Sequence, residues 1–159
     1  MSAIPGTGHA QQQDLGAYTK RVVALNPQTA TAAVGTGTEV QGAAVNRVDP
    51  SVALGVVVAL PARFTMASGN DSVVTRRVDH RASSAEAWAQ YGEDLDDLTV
   101  TANNDGSALD TDLGFSLDLS GAKAEIRLAV KPNFSASGVD TAVFGGTFVF
   151  GGYDTNPTA

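Results

Sequence analysis

Ala122-Lys123-Ala124-Glu125-Ile126-Arg127-Leu128-Ala129-Val130-Lys131 and, downstream, Ala142-Val143-Phe144-Gly145-Gly146-Thr147-Phe148-Val149-Phe150 are the stretches on which the fold turns. In the first, Ala122, Ala124, Ile126, Leu128 and Val130 alternate with Lys123, Glu125, Arg127, Ala129 and Lys131. A period of two sends successive side chains to opposite faces of a strand, so one face meets a core and the other meets water. Pro132, which has no N–H to give to a ladder, is expected to stop that strand. The second stretch is aromatic and β-branched, and its glycine pair predicts a bulge or kink. The loop from Asn133 to Gly138 separates the two, and Ser120-Gly121 makes a tight connection upstream.

The same signals recur through the rest of the chain. Tyr18 to Leu25 reads as a strand ended by Asn26-Pro27, and Val34-Gly35-Thr36-Gly37-Thr38 leads into a weak strand from Glu39 to Val45. Val52 to Leu60 is apolar at nearly every position, which predicts a central strand buried on both faces and closed by Pro61. After the Asn70-Asp71 turn, Ser72 to Arg81 alternates Val74, Arg76, Val78 and His80 against Val73, Thr75, Arg77 and Asp79. Ser84 to Tyr91 begins with an N-cap serine and is closed by Gly92, giving either one short helix or a turn that pins Trp88 onto the sheet. Leu98 to Thr101 and Leu113 to Leu119 are further strands, separated by the turn residues Asn103-Asn104-Asp105-Gly106. The pattern is all-β: an antiparallel β-sandwich or barrel of about eight strands with at most one short helix. Residues 1–17 are expected to be an extended N-terminal arm, 18–153 a single β domain and 154–159 a C-terminal tail.

Composition narrows the chemistry. The 159 residues include no cysteine, which excludes a disulfide framework and zinc-thiolate sites. The longest apolar run is far shorter than the roughly 20 residues of a membrane helix, so no membrane partner is expected. Met1 to Ala10 has neither a cationic nor an apolar region of a secretory leader, so synthesis in the cytoplasm is expected. The net charge of −7 is divided unevenly: residues 1–81 carry +2, and residues 82–159 carry −9. Glu93, Asp94, Asp96, Asp97, Asp105, Asp110, Asp112 and Asp118 lie in a stretch with no base. Such a field repels a phosphate backbone, so direct nucleic-acid binding is not expected. A solvated acidic face is the simplest reading of the run, and a basic partner surface the alternative.

No catalytic constellation emerges. His9 lies in the arm; His80, with Asp79 and with Ser83 or Ser84, could be drawn as a triad, but strand neighbours point to opposite faces and no Gly-x-Ser-x-Gly elbow exists. The chain is therefore expected not to be an enzyme, and no cofactor is expected. Asp105, Asp110 and Asp112 offer oxygen ligands for a weak cation site, without the spacing or closing Glu of a calcium hand; turn chemistry accounts for the same residues. Gly35-x-Gly37 lacks the strand-to-helix setting of a nucleotide loop. Trp88 with Tyr91 could form a sugar-stacking platform, which gives a carbohydrate-binding module as an alternative.

Several segments in order carry a likeness: Leu25-Asn26, Gly35-Thr36-Gly37-Thr38-Glu39-Val40-Gln41-Gly42, Ser72-Val73-Val74-Thr75, Trp88-Ala89-Gln90-Tyr91, Leu117 to Lys123, and Gly145 to Gly152. Over roughly residues 18–157 the chain resembles small tailed-bacteriophage head proteins, the capsid decoration or cement proteins encoded beside the major capsid protein. The resemblance implies a β-rich virion protein on the outer capsid surface that clamps neighbouring major capsid subunits and associates with copies of itself, a trimer being favoured. A tail or head-tail connector component is the alternative within the virion. The family brings no active-site residues. Interface candidates are Gln11, Gln12, Gln13 and Tyr18 in and beside the arm, and the basic residues Arg76, Arg77 and Arg81. An arm of 17 residues could reach about 50 Å along a neighbour.

Overall fold

The computed structural model describes residues 19–153 apart from 34, 35, 50, 94 and 137, and these residues form thirteen strands and no helix. The first six are β1 (Lys20–Ala33), β2 (Thr36–Gly37), β3 (Val40–Gln41), β4 (Val45–Asn46), β5 (Ala53–Ala59) and β6 (Pro61–Thr65). Then follow β7 (Asp71–Arg81), β8 (Ala89–Tyr91), β9 (Leu98–Thr101) and β10 (Leu109–Asp112). The last three are β11 (Phe115–Asp118), β12 (Glu125–Phe134) and β13 (Thr141–Tyr153). The expected arm, including Gln11, Gln12, Gln13 and the adjacent Tyr18, and the expected tail lie outside the described residues.

Two antiparallel sheets pack into an open sandwich, not a closed barrel. One is ordered β10-β6-β13-β1-β2, with β5 on β13 and β11 on β5; the other is ordered β3-β12-β7-β8, with β4 on β12 and β9 on β7. The two stretches that predicted the fold thus supply the central strands, β12 and β13, of the two sheets. Their inward residues meet in one core. Phe64, Phe144, Phe148 and Phe150 come from the seven-stranded sheet and Val74, Val78, Ile126 and Leu128 from the other, all essentially fully buried. Each such side chain contributes roughly 1.5–3 kcal/mol relative to exposure. Phe64 and Phe144 meet edge to face at 5.7 Å, the arrangement the ring quadrupoles favour.

Two expectations about proline are corrected, and a third holds. Pro27 does not end the first strand: β1 continues to Ala33, with register shifts between Val23 and Leu25 and between Leu25 and Gln28. These bulges lie opposite Gly145-Gly146, where the glycine pair predicted an irregularity. Pro132 is inside β12, paired with Val74, at a point beyond the last β3 partner, Val130. There the ladder runs on one side only, and a missing N–H on the other side costs little. The strand before Pro61 does end there, β5 closing at Ala59, and Pro61 then opens β6 at a corner where the pairing passes from β11 to β10.

Two further expectations change. The 84–91 segment forms no helix; the turn alternative holds, and Ala89–Tyr91 joins β7 as β8. Val52 to Leu60 is not buried on both faces. Val56, Val58 and Leu60 face the core, while Val57 is 52% and Leu54 37% exposed. The apolar outward positions hid the alternation, because both faces carry the same residue type.

Candidate functional site

The sandwich presents two outer faces of opposite character. On the six-stranded sheet, β7 and β12 set charged residues in register, Arg81 beside Glu125 and Asp79 beside Arg127. Arg81 Nε donates to Glu125 at 2.6 Å, and Asp79 accepts from Arg77 Nε at 2.9 Å and from Arg127 at 3.0 Å. Arg77 also forms a two-bond fork with Glu39, at 2.6 and 3.0 Å. Burial alone would raise the Glu39 carboxyl, but the Arg77 bonds outweigh it and hold the group below the ordinary range; Glu39 in turn raises Arg77. Trp88 lies against this network, its ring centroid 4.3 Å from the Arg81 guanidinium and 4.7 Å from that of Arg127.

Of the three basic interface candidates, Arg77 and Arg81 therefore reach the outer face with their charge already matched by carboxylates. Arg76 points the other way. It is 7% exposed and donates to the carbonyls of Leu113 at 2.8 Å and Asp96 at 3.0 Å, with its guanidinium 5.4 Å from the Phe115 ring centre. Burial lowers its pKa, with the charges of Asp96 and Asp97 opposing. Arg76 ties two loops to β7, and the expectation that it lies on an accessible basic face is corrected.

The sugar-platform residues are also committed. Two guanidinium groups already engage the Trp88 ring, and the Tyr91 hydroxyl donates to the Asp118 carbonyl at 2.9 Å while accepting from Gly121 N–H at 3.2 Å. The three cation candidates serve separate local roles. Asp105 accepts from Ser107 N–H at 3.0 Å, Asp112 from Gly114 N–H at 3.0 Å, and Asp110 faces Arg63 at 3.7 Å. Among the described residues no three His, Asp or Glu side chains are grouped to hold a metal ion. His80 and Asp79 make no triad: His80 Nδ1 accepts from Lys123 N–H at 3.2 Å, and Asp79 belongs to the arginine network.

The seven-stranded sheet shows the opposite surface. At its centre, on β13 and β5, the outward positions are small and uncharged, while charged residues stand on the flanking strands β1, β6, β10 and β11. Val23 is 57% and Val57 52% exposed, with the half-buried Val149 directly beside Val57 and diagonal to Val23; Val143, 38% exposed, lies apart, between Thr29 and Arg63. Register places Arg21, Val149, Val57 and Ser116 in one row across β1, β13, β5 and β11. The next row holds Gly151, Gly55 and Asp118. A groove of about 440 Å³ runs over these two rows, walled by Val57 and Val149 and reaching Thr19. Contiguous outward valines on a sheet face were legible only as strand signal, and this surface was missed in the sequence. Three alternating runs that share valine at their second face would have been the clue.

No protein-family model matches the chain, and no curated protein matches it. Among solved structures it is similar to infectious bursal disease virus, Gx strain, at 13% identity and a TM-score of 0.47, covering 87% of this chain and 33% of that one. It is similar to the VP2 subviral particle of the same virus at 10% identity and a TM-score of 0.46, covering 87% and 33%. A third is the Clostridium thermocellum endo-1,4-beta-D-xylanase 10B CBM22-1–GH10 structure with xylohexaose, at 13% identity and a TM-score of 0.42, covering 90% and 28%. The chain spans about a third of the length of the viral chains it matches. These likenesses assign no role to any residue.

Proposed function

We propose that this chain is a non-enzymatic structural protein of a virus particle, a decoration protein that binds the outer capsid surface and clamps neighbouring major capsid subunits. The observation that carries the reading is the exposed cluster of Val23, Val149 and Val57 on the outer face of the seven-stranded sheet. Scattered apolar residues on a surface are ordinary, whereas a contiguous patch on a rigid element is the mark of a docking surface. Because β5 and β13 are held by ladders on both sides, docking there orders few side chains and little backbone, which keeps the entropic cost of association low. Many copies acting on one lattice turn a modest pair affinity into stable attachment. The resemblance of the 18–157 segments to tailed-phage head proteins points the same way.

The test is cryo-electron microscopy of particles assembled with this chain, in wild-type form and with Val57→Asp. Density recurring over the capsid lattice, lost with Val57→Asp, supports the reading. Density confined to the tail moves the protein to a tail or connector role, and no density on particles rejects the virion reading.

A further inference from the structure

We infer that the valine face of the seven-stranded sheet is a two-fold contact with the same face of a second copy of this chain. The inference rests on the reading of that face as a protein-docking surface and gives it a second copy as its occupant, so that attachment to the capsid depends on the paired chains and not on this face meeting the shell directly.

The argument comes from the register. Across β1, β13, β5 and β11 the face has a basic end and an acidic end, with uncharged residues between. Arg21 stands exposed on β1; Asp118 stands exposed on β11, one row on from Ser116. Between them lie Val149 and Val57 in one row and Gly151 and Gly55 in the next. A two-fold axis running along the strands, midway between β13 and β5, superposes this pattern on itself. It lays β1 of one copy over β11 of the other, so Arg21 faces the Ser116–Asp118 segment at both ends of the contact. The same axis sets Val57 of each copy over Val149 of its partner, and the glycine row over the glycine row. A Cβ at Gly151 would meet nothing within 4 Å, so the glycine row is open on its outer side and lets a partner backbone approach.

The other outer face has no such property. Its cations and carboxylates are paired within the chain, as Arg77 with Glu39 and Arg81 with Glu125, so it holds little unsatisfied charge to offer. Separation of charge around an apolar centre gives a like-to-like contact both affinity and register.

The test uses the full chain in analytical ultracentrifugation over a concentration series at moderate salt. The expected result is a concentration-dependent dimer, with Arg21→Glu and Asp118→Lys each weakening it about tenfold or more, a loss of at least one decade in affinity. The double variant Arg21→Glu/Asp118→Lys is expected to recover most of the loss, which only facing residues can do. Val57→Arg, at an exposed site that the fold does not need, is expected to give a monomer with an unchanged circular dichroism spectrum. If the Asp118 variant does not fold, Arg21→Glu and Val57→Arg decide.

A wild-type monomer overturns the inference, as does an oligomer indifferent to Val57→Arg and Arg21→Glu. A monomer that still needs Val57 to bind capsids assigns the face to the shell and leaves the proposed function standing. A monomer whose Val57→Cys thiol becomes reactive only after residues 1–17 are deleted assigns the face to the chain's own N-terminal segment. A dimer that never joins particles supports the two-fold contact and rejects the capsid role.

Discussion

Asp79 and Arg127 face each other across β7 and β12, with the carboxylate 3.0 Å from the guanidinium and only 4% exposed. The same carboxylate accepts from Arg77 at 2.9 Å, so one buried anion holds two cations in place. Asp79→Ala leaves those cations facing one another in a region of low solvent access. It is expected to cost about 3 kcal/mol, as breaking a buried pair does. Asp110→Ala removes a partner from a pair in which both side chains are more than half exposed, and is expected to cost less than about 0.5 kcal/mol. Urea unfolding of the two variants measures the difference.

Stability is expected to fall as pH drops below the ordinary histidine range. Burial, and after it the Lys123 charge, holds the His80 pKa below 6.5. Between 6.5 and that lower value the unfolded chain binds a proton that the folded chain refuses, so stability declines with falling pH across this window. Protonation at Nδ1 also removes the acceptor of the Lys123 N–H. The thermal midpoint is expected to be lower at about pH 5.5 than at about pH 7.5, and His80→Gln to flatten that dependence. The contribution of Glu39, whose folded pKa is also lowered, is lost only at more acidic pH, below 4.5.

Gly42 is needed for a close approach of backbones. Its N–H donates to the Leu128 carbonyl at 2.8 Å, and a Cβ there would overlap the Ala24 carbonyl oxygen. Since a backbone oxygen cannot swing aside, Gly42→Ala is expected to destabilise by about 3 kcal/mol. Gly151→Ala, with open space beside it, is expected to change monomer stability by less than about 0.5 kcal/mol. Thermal unfolding at low protein concentration, where self-association does not contribute, checks both.

Trp88 is the chain's one tryptophan, and two guanidiniums lie against its ring. Removing the ring in Trp88→Ala is expected to cost about 1–2 kcal/mol through two lost cation–π contacts. Soluble β-glycan oligosaccharides are expected to leave the wild-type tryptophan emission unchanged. A saturable shift on titration would restore the sugar-platform reading.

The inward faces were legible because alternation is a local property. Val74 and Val78, Ile126 and Leu128, and Phe148 and Phe150 each lie two residues apart, and the pleat sends each pair to one side. Val52 to Leu60 was misread for the same reason: with valine on both faces, a period of two leaves no trace. Of the interface candidates, Arg77 and Arg81 reach the surface, but the carboxylates that match them come from Glu39 and Glu125, distant in the chain. No spacing rule announces such pairs.

Strand type, the all-β class and the core-facing residues were thus written in the chain, because each depends on the pleat and on side chains within a few positions of one another. The fate of Pro27 and Pro132, the burial of Arg76, and the contrast between a charge-paired face and a valine face were settled by assembly. Whether a missing N–H matters depends on which side of a strand carries a neighbour, and whether a charge is free depends on what a distant strand sets beside it.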